Sequence, residues 1–360
     1  MRRLPLLSLA LTGLLAACTG TEETTPALRL IVLEGAATLR GITVTNAATS
    51  TSPAATPSSP VSVTGGVSVH PGADARRFVL VRTEATETRT PELALEGTFP
   101  APGFTPVCYV RAAQNPGLGR LLVLSNCNGV QRLALYRDAA LLWQVTLPTF
   151  LPPAPGSDTP PVRLAVQGEV GLVTRPRLGG GSEVLRVAIP VGGSAAQVSE
   201  PLPIPAVYDL AAYGTEVYAA TDSGVQRLNG AGAPEATSTV AALGTGRYDR
   251  LWTGPLNQRL LAAWRSNVLS GQASTPLRVW NGSSTTAGSA ATVTTFSDLR
   301  DLTFTPDGYL YTITGTALAQ HDTQRGLQSG TWNSVTLPVA LNDARSLTWT
   351  LAPEQAPTAP

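Results

Sequence analysis

Two hexapeptides in this chain agree at five of six positions: Asn128-Gly129-Val130-Gln131-Arg132-Leu133 and Ser223-Gly224-Val225-Gln226-Arg227-Leu228. They begin 95 residues apart, about twice 47. Each follows a strand-like run, Leu121-Leu122-Val123-Leu124 in one case and Val217-Tyr218-Ala219-Ala220 in the other. A weaker copy is Leu310-Tyr311-Thr312-Ile313 with Gly315 to Ala319 after it, and Val184-Leu185-Arg186-Val187 suggests a fourth. Units of this length cannot bury an apolar face alone. They stack, and the repeat therefore decides the architecture before any single residue does.

Upstream of each strand pair another short strand begins, near Gly66, Cys108, Val162, Tyr208, Asp249, Arg300 and Arg345. An aliphatic residue recurs at its start: Val67, Val110, Leu164, Leu210, Leu251, Leu302 and Leu347. The clearest copy runs from Leu302 to Tyr311 around Pro306-Asp307-Gly308, and Gly66 to Arg82 repeats the plan around His70-Pro71-Gly72. Pro fixes φ, Asp caps and Gly takes positive φ, so these are turns with a mechanism. Steps of 41 to 54 residues suit four-stranded blades. The reading is an all-β fold, a β-propeller of seven blades. The pattern resembles the inner hairpin of NHL-like and gluconolactonase-like propellers. Six blades, with residues 28–62 outside the ring, is the alternative, and a two-sheet sandwich is a third.

Only nine residues follow Leu351, too few to finish a blade. Two strand-like runs at 28–45 are expected to complete it beside 345–351, hiding the final edge. Residues 46–62 are rich in Ala, Ser, Thr and Pro without periodicity and read as a flexible linker. The propeller then spans 63–351, with a tail at 352–360.

Gly and Pro number 34 and 30 of 360 residues, and charged residues are 14%. The first suits a fold built on turns. The second is too low for a disordered chain. A net charge of +1 gives no field to attract nucleic acid. Every basic residue is Arg, which excludes lysine Schiff-base chemistry and the P-loop lysine. Gly179-Gly180-Gly181 reads as a hairpin turn, since no GK[ST] follows.

Arg2 and Arg3 precede an apolar run from Leu4 to Leu15, and then come Ala16, Ala17 and Cys18. This resembles the lipobox of bacterial lipoproteins. The resemblance implies a signal peptide at 1–17, a lipidated Cys18 and a tether at 18–27. Its partner would be a membrane, in the bacterial cell envelope, facing the periplasm or the exterior. Two acyl chains on one residue anchor stably where one does not. The remaining cysteines, Cys108 and Cys127, flank a turn at 115–119 and would meet across a hairpin. A disulfide between them suits an oxidising compartment.

The residue before each recurring aliphatic reads Gly66, Tyr109, Arg163, Asp209, Arg250, Asp301 and Ser346. The run Arg163, Asp209, Arg250, Asp301 admits two accounts, ion pairs between blades or a polar rim for a ligand. His70 and His321 lack metal-ligand spacing and read as turn or surface residues. Trp252, Trp280 and Trp349 fall in strands and are expected to pack between blades. No catalytic residue, metal or cofactor is assigned. The function that follows is an envelope-anchored binding or scaffolding module with an envelope protein or a small ligand as partner. One alternative is a metal-dependent lactonase-like hydrolase. The gluconolactonase resemblance implies acidic and amide cation ligands from separate blades, and Asn267, Asp298 and Asn342 are residues of that type. Another is an outer-membrane assembly helper, by resemblance to the propeller lipoprotein of that machinery.

Overall fold

The computed structural model describes residues 27–45, 53–154, 159–255, 259–266 and 276–353. Cys18 and Asn267 lie outside them. Seven antiparallel sheets form the seven blades of a β-propeller. Their inner strands are Gly66–Pro71, Tyr109–Asn115, Arg163–Gln167, Val207–Tyr213, Arg250–Thr253, Asp301–Phe304 and Ala344–Leu351. Blades are numbered one to seven in this order.

The core lies between blades. Leu122 and Leu124 of blade two pack with Leu164, Val166 and Val173 of blade three. Leu121 and Val123, the residues just before them, pack with Val79 and Val81 of blade one. Successive side chains of one strand thus reach opposite neighbours, so middle strands are apolar on both faces. This is why Leu121-Leu122-Val123-Leu124 runs without alternation, and why so few charges are present. Blades two and three approach so closely that a Cβ on Gly171 would lie 2.8 Å from the Trp143 ring.

The repeated hexapeptide marks a hairpin between second and third strands. Asn128 and Gly129 take φ values of 53° and 85°, the left-handed pair that a tight turn in twisted strands requires. Cys127, just before this turn, forms a disulfide with Cys108, next to the start of the inner strand, with Cα atoms 5.4 Å apart.

Blade seven draws on both ends of the chain. Ala344–Leu351 pairs with Leu28–Glu34, which pairs with Thr38–Thr45. The expected linker at 46–62 is corrected here, since within it Ala54–Pro57 and Val61–Ser62 both pair with Thr38–Thr45. The open edge of that strand offers backbone partners, and pairing there needs no apolar period. Residues 46–52 are outside the described set. Among the described residues, no helix is long and apolar enough to cross a membrane.

Candidate functional site

The inner strands enclose a central cavity of about 710 Å³, a size ordinary for small-molecule sites. Where its walls carry charge is set by a register that repeats in every blade. In four blades one residue bulges out of the inner hairpin: Val67, Val110, Tyr208 and Arg345. The residue after each bulge re-enters the ladder. These residues are Ser68, Arg111, Asp209 and Ser346. In blades three, five and six the strand begins directly on the equivalent residue, Arg163, Arg250 and Asp301. The ring around the cavity is therefore Ser68, Arg111, Arg163, Asp209, Arg250, Asp301, Ser346.

Two of the expected ring members are thereby corrected. Gly66 packs against Leu33, and Tyr109 is buried with its hydroxyl 3.3 Å from that of Tyr136. The sequences Gly66-Val67-Ser68-Val69 and Tyr109-Val110-Arg111-Ala112 alternate in the same way over two registers. A slip of two residues leaves every side chain on its face, so alternation alone does not choose between them.

Five ring members reach the next blade by one rule. An acceptor side chain takes the N–H just after the next ring residue. Asp209 accepts from Leu251 N at 2.9 Å, Asp301 from Leu347 N at 2.8 Å, and Ser346 Oγ from Val69 N at 3.1 Å. An arginine donates to the carbonyl just before it: Arg163 to Tyr208 at 2.9 Å and Arg250 to Arg300 at 3.0 Å. Arg163 also pairs with Asp209 at 2.8 Å, and Arg250 lies 3.8 Å from the same carboxylate. Asp301 further accepts from Trp252 Nε1 at 2.7 Å and from Leu302 N at 3.0 Å. Burial pushes its carboxyl above the usual range, while Arg250 and these donors oppose the shift.

Ser68 and Arg111 depart from the rule. The Ser68 hydroxyl meets His70 Nε2 at 2.8 Å within its own strand. The Arg111 guanidinium, which the rule would send to the Val162 carbonyl, makes no hydrogen bond or ion pair among the described residues, while its backbone pairs opposite Leu124. Burial draws its pKa down to about 10, and Arg163 and Arg250 add to this while Asp209 opposes it. The sequence reading missed Arg111; the signal is an Arg–apolar step, Arg111-Ala112, displaced by two residues from the pair Tyr109-Val110.

Both histidines are corrected as well. His70 lines the cavity on the first inner strand. His321 is 1% exposed, held between Thr312 Oγ1 at 2.9 Å and Ser334 Oγ at 2.7 Å. Its polar neighbour Asp322 suggested a surface, but Asp322 turns out to cap the short helix Thr323–Ser329. Trp280 packs edge-on to Tyr218 between blades. Trp252 and Trp349 pack between blades too, but also line the cavity. Asp298 and Asn342 lie away from the cavity: Asp298 pairs with Arg300 and accepts from Gly315 N, and Asn342 is exposed. Among the described residues, no three His, Cys, Asp or Glu side chains gather to hold a metal ion.

A scan against protein-family models finds no match, and a search of curated proteins finds none. Solved structures do match. A candidate 6-phosphogluconolactonase from Bacteroides uniformis superposes with a TM-score of 0.58 at 15% identity, covering 91% of this chain and all of that one. Its counterpart from Bacteroides fragilis gives 0.57 at 14%, covering 92% and 100%. Apo AztD from Citrobacter koseri gives 0.51 at 11%, covering 89% and 83%. At such identities the likeness is one of fold.

Proposed function

We propose that this protein is an envelope-anchored lipoprotein whose propeller binds a ligand in its central cavity without transforming it. The observation that carries this reading is the use made of the ring. Asp209 and Asp301 are spent on backbone N–H groups of neighbouring strands, so neither is placed to move a proton. Ser68 and His70 supply a nucleophile and a base in contact. Yet no carboxylate orients the second ring nitrogen of His70 among the described residues, and a hydrolytic pair works through such a third group. The lipobox-like Leu15-Ala16-Ala17-Cys18 supports the anchor.

The lactonase-like alternative draws its fold from the neighbours named above and is the competing outcome of one assay. Full-length protein is incubated with gluconolactone, with and without a chelator, beside a Ser68→Ala variant. Hydrolysis at the uncatalysed rate in every sample is expected. Turnover abolished by Ser68→Ala or by chelation would make the protein an enzyme. The anchor is tested separately: Cys18→Ala should move the protein from the membrane to the soluble fraction, and unchanged membrane retention would refute lipidation there.

A further inference from the structure

We propose that the ligand carries a small oxyanion, a carboxylate or phosphoryl group, and that the Arg111 guanidinium is the residue that anchors it. This rests on the ligand-binding reading above.

The cavity holds three ring cations, Arg111, Arg163 and Arg250, against two carboxylates, Asp209 and Asp301. Arg163 and Arg250 are each fixed by a carbonyl in the next blade and by Asp209. Asp301 is fixed by three N–H donors. Of the other charges on the lining, Asp74 pairs with Arg77 and Arg345 with Asp343, so one positive charge remains inside the wall, and it is Arg111. A half-buried guanidinium beside two others raises the energy of the folded chain, and a purely structural role offers no return for it. Groups that break an otherwise consistent local rule mark functional sites. A guanidinium offers paired N–H donors in one plane, which match the two oxygens of a carboxylate or phosphate.

The position favours a small ligand. Arg111 is set by the bulge at Val110, and bulges commonly re-aim side chains beside sites. On the adjacent ring position, Ser68 and His70 face the same cavity. They add neutral hydrogen-bonding groups next to the cation. Burial lowers the His70 pKa to about 4, so at neutral pH it adds no charge of its own. Trp252 and Trp349 supply flat apolar wall for the body of a ligand. A cavity walled by seven inner strands admits a small molecule rather than a protein surface.

The test uses full-length protein in detergent at low ionic strength, titrated calorimetrically with citrate, with inorganic phosphate and with uncharged glucose. At least one anion is expected to bind with a stoichiometry near one. Arg111→Gln should weaken that binding at least about tenfold. Arg227→Gln, on an exposed surface pair with Glu216, should leave it within about twofold. Citrate binding without phosphate binding assigns a carboxylate; the converse assigns a phosphoryl group. The melting temperature of Arg111→Gln should equal or exceed that of the parent, which separates lost anchoring from lost fold. Two results overturn the inference: unchanged anion affinity in Arg111→Gln, or no anion binding up to about 10 mM. If glucose alone binds, the binding reading survives and the oxyanion fails. If Ser68-dependent hydrolysis appears while Arg111→Gln still abolishes anion binding, the non-catalytic reading fails and the oxyanion stands.

Discussion

His321 is a base kept neutral by its surroundings. It is 1% exposed, lies edge-on to Phe296 and touches two hydroxyls. Burial depresses its pKa from 6.5 to about 4. A depressed folded value means that the unfolded chain takes up the proton first. Its contribution is complete above pH 6.5 and is lost as pH falls towards 4. The shift is equivalent to about 3 kcal/mol of unfolding free energy across that window. Urea unfolding at pH 7 and pH 4 should show the loss, and His321→Gln should remove roughly that part of the slope while lowering stability at neutral pH. An identical pH slope in both proteins would assign acid sensitivity to other groups. Nothing in the sequence flagged this residue, because a histidine followed by aspartate reads as surface. Burial depends on the neighbouring blade, which is not adjacent in sequence.

At the scale of the strand, the ring rule makes a sharper claim about Asp301. Its raised pKa suggests that a neutral Asn could replace it at small cost. The geometry says otherwise, because N–H groups of Trp252, Leu302 and Leu347 all point at its two oxygens. An amide brings its own N–H₂ towards at least one donor and leaves a buried N–H unpaired. Asp301→Asn should therefore lose about 1–3 kcal/mol in equilibrium unfolding, against no loss for Arg111→Gln. Equal effects of the two substitutions would defeat the distinction between committed and free ring members. The hairpin of blade two makes a second claim. Its disulfide spans a sequence separation of 19. Replacing both cysteines by serine should cost about 3 kcal/mol if chain entropy governs, read as a lower urea midpoint, and an unmoved midpoint would count against that account. Seven strands, their recurring aliphatic and this disulfide were legible in the sequence, since each is carried by residue type and spacing. The ring register in blades one and two was not. A bulge carries no turn residue, and alternation is blind to a shift of two. Arg111 was hidden by that ambiguity.

For the molecule as a whole, ring closure is what makes seven weak units one domain. Each inter-blade cluster draws residues from two neighbouring blades, and the cluster between blades six and seven unites Leu30, Val32 and Ile42 with Tyr311, Ile313 and Leu347. The inner strand Ala344–Leu351 is thus covered on one edge by Leu28–Glu34 and on one face by blade six. Without it, Leu28–Glu34 presents an open apolar edge, the condition that favours aggregation. A chain ending at Asp343 should lose its cooperative melt and precipitate. The same logic says that closure needs adjacency and is indifferent to where the chain is cut. Ala352 N donates to the Ala27 carbonyl at 2.8 Å, so a short Gly-Ser turn can join those two residues into a hairpin. Opening the chain instead between Gly192 and Gly193, in an exposed turn of blade three, gives a circular permutant whose blade seven is continuous. Chain ends in exposed, glycine-containing turns are well tolerated. The permutant should fold and melt in a single transition within a few degrees of the parent core spanning 27–352, by circular dichroism. If it failed to fold while retaining all seven blades, the order of synthesis, rather than the closed ring, would be what the structure depends on.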